Sequence, residues 1–364
     1  MARELVINGT RIDDDSPAYV IAEIGHNHQG DVAKAKELFD RARECGASAV
    51  KLQKRDNETL FTREAFNRPY DNENSFGPTY GVHRQALELG REELADLKEY
   101  AAKLGIDYFA TPFDIPSADL LEELGVTFYK VASADLTNTP LLKHIARYGK
   151  PMLISTGGAT QEDVDRAVNT VFPINQQLCV MQCTAAYPAD YAELDLGVIQ
   201  TYRERYPEIV IGYSGHDNSI SMPVVAYMLG ARVIEKHFTL NRVMKGTDHI
   251  FSLEPPGLRR VVRDLTRARQ AIGDGVKKRR PSEFAPMVKM AKSLYAARAL
   301  PAGHVLSEAD LSIKCPGGGL PPYELDNVIG RQLLVDLSEE DALAVEHLGP
   351  VATTVQAGAD AGRA

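Results

Sequence analysis

The chain contains no tryptophan, so ligand titrations lack the usual intrinsic-fluorescence signal. Cysteine is scarce: Cys45, Cys179, Cys183 and Cys315 are scattered, with no Cys-x-x-Cys pair. That spacing argues against a thiolate zinc site and fits reduced thiols in a cytoplasmic protein. Long apolar runs are missing too. The longest uncharged stretch, Ala167–Ala189, is broken by Pro173, Asn175, Gln176, Gln177 and Gln182, so no membrane span is expected. The first twenty residues carry Arg3, Glu4, Arg11 and Asp13 to Asp15, which leaves no room for a secretory apolar core. Positive charge is in deficit, with 41 Lys and Arg against 50 Asp and Glu, a net −9. A broad nucleic-acid surface is thereby excluded, while a local cationic pocket is not. What remains is an ordinary globular composition, 44% hydrophobic and 25% charged, over 364 residues. That length accommodates one large barrel and a small module.

Eight short apolar or β-branched runs recur in the first 240 residues: Tyr19–Gly25, Ala49–Arg55, Asp107–Phe113, Phe128–Ser133, Pro151–Gly157, Leu178–Thr184, Val210–His216 and Val233–Thr239. Amphipathic helical stretches lie between them. Val32, Ala35, Leu38, Phe39 and Ala42 recur at helical spacing in the first, and Leu94, Leu97, Ala101 and Leu104 in a later one. Gly46, Gly105, Gly125, Gly149 and Gly230 each sit where a helix should end before the next strand. Eight strands alternating with helices predict an α/β fold, a (β/α)8 TIM barrel. A doubly wound sheet is the alternative, but no Gly-rich fingerprint follows the first strand.

The barrel domain is expected over 1–275, with a hairpin over 3–12 closing its bottom. The segment Asp56–Gly90 is too long for an ordinary βα loop and is expected to cover the mouth. Gly273-Asp-Gly275 and the basic run Lys277 to Arg280 open a linker, 276–292, read as a solvated joint. A small module follows over 293–349, and a tail rich in Ala, Gly and Thr, 350–364, is expected to be disordered.

In a parallel barrel, chemistry gathers at the C-terminal strand ends. Polar residues fall there in every strand: Glu23; Lys51 and Gln53; Thr111; Lys130, Ser133 and Asp135; Ser155 and Thr156; Gln182, Thr184 and Tyr187; Ser214 and His216; Glu235 and His237. A lone buried charge is costly, and any one of these could be a structural ion pair. Two lysines and several hydroxyls on one rim make an anion site for phosphate or carboxylate. His216 and His237 end adjacent strands, and with Glu23, Glu235 or Asp248 they suit a divalent ion such as Mn²⁺ or Zn²⁺.

Ala22-Glu-Ile-Gly25 with His28, Val50-Lys-Leu-Gln53, Thr111-Pro-Phe113 and Lys130-Val-Ala-Ser133 occur in order. Ile154-Ser-Thr-Gly157, Cys183-Thr184 with Tyr187-Pro188, Ser214-Gly-His216 and Glu235-Lys-His-Phe-Thr-Leu240 complete the series. The set resembles the sialic acid synthase family, the phosphoenolpyruvate (PEP)-condensing enzymes that make nine-carbon 2-keto acids. Gly303, Asp310-Leu311 and Pro316-Gly-Gly-Gly-Leu320 resemble that family's β-rich SAF (antifreeze-like) domain.

The resemblance implies a transferase acting on PEP and an amino-sugar aldehyde in the cytoplasm, with no nucleic-acid or membrane partner. It implies that Lys51, Thr111, Lys130, Ser133, Ser155 and Ser214 hold PEP, and that Gln53, Tyr187 and Asp248 face the sugar. His216 and His237 would hold the metal, Mn²⁺ first, with Mg²⁺ or Co²⁺ as alternatives. Glu23 and Glu235 would line the reaction centre, and either Glu23 or Asp135 would be the base. The small tail module would act on a neighbouring subunit, giving a domain-swapped homodimer.

Three positions depart from the family pattern. Asp135 stands where a glutamate is usual, Ala185 where many members have asparagine, and Cys315 where the tail motif normally has arginine. Without that arginine's fork of donors, the expected sugar is one other than N-acetylmannosamine, such as a 2,4-diacetamido-trideoxyhexose, with Lys314 as a substitute contact. Two other readings stand beside this one. One is a metal-dependent aldolase or deoxyheptulosonate-type synthase, which should prefer phosphorylated sugars. The other is a sugar- or anion-binding protein with lost chemistry.

Overall fold

Eight parallel strands carry the first of two compact units, Met1–Gly273, in a computed structural model that describes residues 3–351. They are β3 (Tyr19–Gly25), β4 (Ala49–Lys54), β5 (Asp107–Pro112), β6 (Tyr129–Val131), β7 (Met152–Ser155), β8 (Leu178–Cys183), β9 (Val210–Gly215) and β10 (Val233–His237). Every predicted strand is present; Tyr19–Gly25 keeps its expected bounds, and the other seven are trimmed by a residue or two at one or both ends. The order β5-β4-β3-β10-β9-β8-β7-β6 makes a TIM-like barrel whose first and last strands meet without ladder bonds among the described residues. Side chains close that seam: Phe109 of β5 stacks on Phe128, just before β6, at 3.8 Å between ring centroids.

The helices form for the reasons their sequences suggest. Helix Val32–Glu44 is capped by Asp31, whose carboxylate accepts from the amides of Ala33 at 2.8 Å and Lys34 at 3.2 Å. It buries Ala35, Leu38, Phe39 and Ala42 against the outer face of the sheet. Helix Arg91–Leu104 buries Leu94, Leu97 and Ala101 and ends at Gly105, whose φ of 66° an L side chain rarely adopts. The other four glycines predicted at helix ends also have positive φ.

Inside the barrel, Tyr19, Ile21, Ala49, Phe109, Phe128, Leu153, Cys179, Met181, Val210 and Val233 pack into one cluster. Leu5, Ile7 and Ile12 of the antiparallel hairpin β1 (Glu4–Ile7) and β2 (Thr10–Asp13) join it, so the hairpin plugs the bottom. Arg3 ties that plug down by donating to the carbonyls of Ile209 and Arg203, both at 2.7 Å. The long segment after β4 folds into three short helices, Asn57–Leu60, Arg63–Asn67 and Tyr80–Gln85.

The second unit begins at Asp274 and has its own core, Leu294, Leu306, Leu333, Leu343 and Leu348. Its strands pair as β11 (Ser293–Ala296) with β12 (Leu311–Lys314), and β13 (Arg331–Leu333) with β14 (Leu348–Val351). The span read as a linker holds a helix, Phe284–Met290. Pro350 and Val351, assigned by sequence to a disordered tail, pair in β14 instead. The rest of that expected tail, 352–364, lies outside the described residues. No helix among the described residues is long and apolar enough to cross a membrane.

The seam should be the weak point of the barrel. Phe109→Ala is expected to lower the free energy of unfolding by about 3–5 kcal/mol, measured by urea denaturation. A loss below about 1 kcal/mol would mean that the stacked pair does not hold the seam.

Candidate active site

The pleat decides which strand residues see the barrel interior, because successive side chains point to opposite faces. Two residues above the apolar plug, the inward positions turn polar on every strand. Glu23 follows Ile21, Lys51 follows Ala49, Thr111 follows Phe109 and Lys130 follows Phe128; Ser155, Cys183 and Glu235 follow in the same way, and on β9 Ser214 stands above Val210 with Gly212 between them. They open into a cavity of about 490 Å³ at the C-terminal mouth, also lined by Gln53, Ser133, Tyr187, His216, His237 and Asp248.

Thirteen of the fifteen site residues expected from sequence therefore share one cavity. Asp135 does not line it. It sits on the short turn Ser133–Asp135, where Asn138 Nδ2 donates to its carboxylate at 3.2 Å. Lys314 lies in the second unit, exposed and paired with Glu340 at 2.6 Å. Three further strand-end residues are also turned away from the cavity. Gln182 donates to the carbonyl of Leu194, Thr156 to that of Met181 and Thr184 to that of Glu193.

At the centre, Lys51 Nζ stands 2.9 Å from Glu235 Oε1 and 3.3 Å from Glu23 Oε2, all three side chains buried. Lys130 Nζ is 3.7 Å from the same Glu235 oxygen, and Ser214 Oγ donates to it at 3.2 Å. Gln53 Nε2 donates to Glu23 Oε1 at 2.7 Å. The two glutamates are driven apart. Burial raises both, but Lys130 and Lys51 outweigh it at Glu235 and hold that carboxyl down to about 2. At Glu23, burial and the charge of Glu235 prevail over Lys51 and push the carboxyl up to about 7. Gly25 lets these groups meet. An added Cβ there, at φ 54°, would come within 3.2 Å of Gln53 Nε2 and 3.3 Å of Glu23 Oε1.

The hydroxyls of Thr111 and Ser155 are buried without hydrogen-bond partners, so donors are free to meet a ligand. The rings of His216 and His237 stand 5.3 Å apart. His216 Nδ1 donates to the carbonyl of Thr184 at 2.8 Å, which leaves Nε2 with a free lone pair. His237 is held well below the usual histidine range by burial and by the neighbouring His216 and Lys51, and its Nδ1 has no hydrogen-bond partner. Burial lowers His216 too, but Cys183 and the Thr184 carbonyl outweigh it and hold that ring above the usual histidine range, so the pair fits a divalent ion with open positions once His216 gives up its Nε2 proton. Among the described residues no group of three or more His, Cys, Asp or Glu side chains forms a closed cage.

Arg55, Arg84, Phe113, Cys183 and Thr247 also line the cavity, and sequence reading had not placed them there. Arg55 was legible as the next same-face residue after Lys51 and Gln53. Arg84 was not, because it comes from the helix Tyr80–Gln85 of the long segment.

The NeuB family model matches residues 38–277, and the SAF domain model matches 291–348. The chain is 39% identical to the human N-acetylneuraminate-9-phosphate synthase over 339 residues, 93% of this chain and 94% of that one. It is 36% identical to the N,N'-diacetyllegionaminic acid synthase of Legionella pneumophila over 349 residues, 94% of this chain and 98% of that one. Among solved structures, the N-acetylneuraminic acid synthetase of Leptospira borgpetersenii aligns with a TM-score of 0.69 and 32% identity, covering 79% of this chain and 96% of that chain.

A Glu23 carboxyl that resists ionisation makes a signed prediction. Its folded value, about 7, lies above the ordinary 4.5, so the wild type loses stability as pH rises between the two. Glu23→Gln should match the wild type in melting temperature below pH 4.5 and gain on it steadily up to pH 7. Thermal unfolding across that range checks this, and a difference independent of pH would contradict it.

Proposed function

The chain belongs to the NeuB family of sialic-acid-type synthases, and from that premise we propose a metal-dependent condensation of PEP with an amino-sugar aldehyde. The sugar is N-acetylmannosamine or a related 2,4-diacetamido-trideoxyhexose, and the products are a nine-carbon 2-keto acid and phosphate. One observation carries the reading. In a chain of net charge −9, the cavity is lined by Lys51, Lys130, Arg55 and Arg84 against only Glu23, Glu235 and Asp248. Four cations face three carboxyls, one of which resists ionisation, and that balance suits a polyanion.

In this reading Lys51 and Lys130 hold the PEP phosphate and carboxylate, with hydroxyls from Thr111, Ser133, Ser155 and Ser214 as donors. The C3 carbon of PEP bonds to the aldehyde carbon, water adds at C2, and the C2–O bond to phosphate then breaks. Glu235, kept ionised by the lysines, stabilises the positive charge that develops at C2. Glu23 takes the proton from the attacking water. Of the two candidate bases it is the one that lines the cavity, and its carboxyl near 7 is poised to exchange a proton at neutral pH. Gln53, Tyr187 and Asp248 orient the sugar. A divalent ion, Mn²⁺ first, would be held by His216 and His237 and would polarise the aldehyde.

The SAF match at 291–348 supports this reading over a deoxyheptulosonate-type synthase, which leaves the tail unexplained. Preference for a phosphorylated sugar no longer separates the two, because the human relative's named product itself carries a phosphate. A homodimer with exchanged tail units goes with the proposal, and light scattering tests it.

Phosphate release from PEP with Mn²⁺, across a panel of free and phosphorylated aldoses, tests the reaction. Release is expected with one amino sugar, lost with EDTA and restored by Mn²⁺. Bound PEP with no release across the panel would overturn it.

A further inference from the structure

His216 and His237 stand just past the point where the ladder between their strands ends. That ladder runs from Gly212 opposite Val233 to Gly215 opposite Lys236, and among the described residues it goes no further. Each histidine is the next residue on its chain, and each is tied to a different neighbour. His237 pairs with Glu23 of β3, and its carbonyl accepts from the amide of Leu253 at 2.7 Å. The His216 carbonyl accepts from the amide of Ala189 at 3.2 Å, and its ring donates to the Thr184 carbonyl. None of these bonds joins one histidine to the other.

The link between them lies on the outer face of the sheet. Lys236 precedes His237 and Asp217 follows His216, and the pleat turns Lys236 away from the cavity that His237 lines. Lys236 Nζ stands 3.1 Å from Asp217 Oδ1 with both side chains fully buried, and it also donates to the Asp217 carbonyl. The carboxylate is held on its other sides as well. Tyr213 Oη donates to Oδ1 at 2.7 Å, and Ser219 donates to Oδ2 from its amide at 2.9 Å and its hydroxyl at 2.7 Å. Tyr213 reaches Asp217 across Gly215, where an added Cβ would lie 2.6 Å from the tyrosine ring.

An ammonium and a carboxylate are costly to bury, and apolar residues of like volume are commonly as stable in such a place. The fold alone therefore does not call for this pair. Its position does, because it grips the chain one residue from each imidazole, and the two rings are 5.3 Å apart. We infer that Lys236 and Asp217 are positioning residues for the metal: their buried pair clamps the end of β10 to the exit of β9 and sets the spacing of His216 and His237. The inference rests on the metal-dependent reading proposed above and adds to it the residues behind the ligands.

The test titrates Mn²⁺ into the full chain at mildly alkaline pH and follows the bound ion by electron paramagnetic resonance. PEP affinity is measured separately by calorimetry in EDTA. Lys236→Met combined with Asp217→Asn removes both charges at similar volume, and thermal unfolding shows whether the double variant folds. Its Mn²⁺ affinity is expected to fall about 10- to 100-fold, the usual weight of groups that orient metal ligands, with PEP affinity within about twofold of wild type. Tyr213→Phe removes one bond to Asp217, leaves the ion pair in place, and should weaken Mn²⁺ about 2- to 10-fold. A folded double variant that binds Mn²⁺ as the wild type does overturns the clamp; if it does not fold, an unmoved Tyr213→Phe does the same. Equal losses for Mn²⁺ and PEP also overturn it, since the pair would then hold the barrel end as a whole. A wild type that binds no Mn²⁺ overturns both the clamp and the metal-dependent reading. Mn²⁺ binding weakened as expected, with no condensation of any aldose, would support the clamp and overturn the reaction.

Discussion

The sharing of one buried ammonium, Lys51, between two glutamates on neighbouring strands is the interaction on which the site depends. None of the three could stay ionised alone at that depth without a penalty of several kcal/mol. Together with Lys130 they settle into one arrangement: Glu235 ionised between two lysines, and Glu23 left over and reluctant to ionise. The asymmetry follows from Lys130, which reaches Glu235 at 3.7 Å and makes no ion pair with Glu23. Two like side chains thereby acquire different chemical characters without any difference in residue type.

The barrel supplies the frame for that cluster. Because alternate residues of eight strands point inward, one step along every strand carries the interior from an apolar plug to a polar floor. The plug excludes water from below, and the hairpin residues Leu5, Ile7 and Ile12 complete it. The polar floor is consequently desolvated on one side and open on the other. Buried cations there gain little from water and have most to gain from an anionic ligand. The acidic surface of the chain and its cationic cavity are compatible, since surface charge is screened and interior charge is not.

The segment between β4 and β5 adds a second cationic feature at the mouth. Arg84 comes from a short helix capped by Thr79 and tied to the rest of the segment by ring contacts of Tyr80 and His83 with Tyr70. Arg55 comes from the strand end. Neither residue is distinguished locally from any surface arginine, and a helical wheel of the segment would place Arg84 in solvent. Their convergence on His26 is a property of how the segment folds back. Asp135 gives the opposite case. By position it follows a strand carrying Lys130 and Ser133, yet the turn that ends the strand carries it away from the cavity.

Period-two alternation and helical spacing, both local, were enough to lay out eight strands, their helices and the basal hairpin in order. They also marked twelve of the thirteen expected residues that share one cavity, all but Asp248, because in a parallel barrel every strand delivers its end to the same rim. The pleat corrected the remainder: Gln182 and Thr184 lie on strand or rim and still point outward. Which glutamate is charged, which hydroxyls lack partners and which arginines meet were decided only in three dimensions. Those properties depend on distances between atoms far apart in the chain, and electrostatic and hydrogen-bond energies depend on distance and burial, not on sequence order.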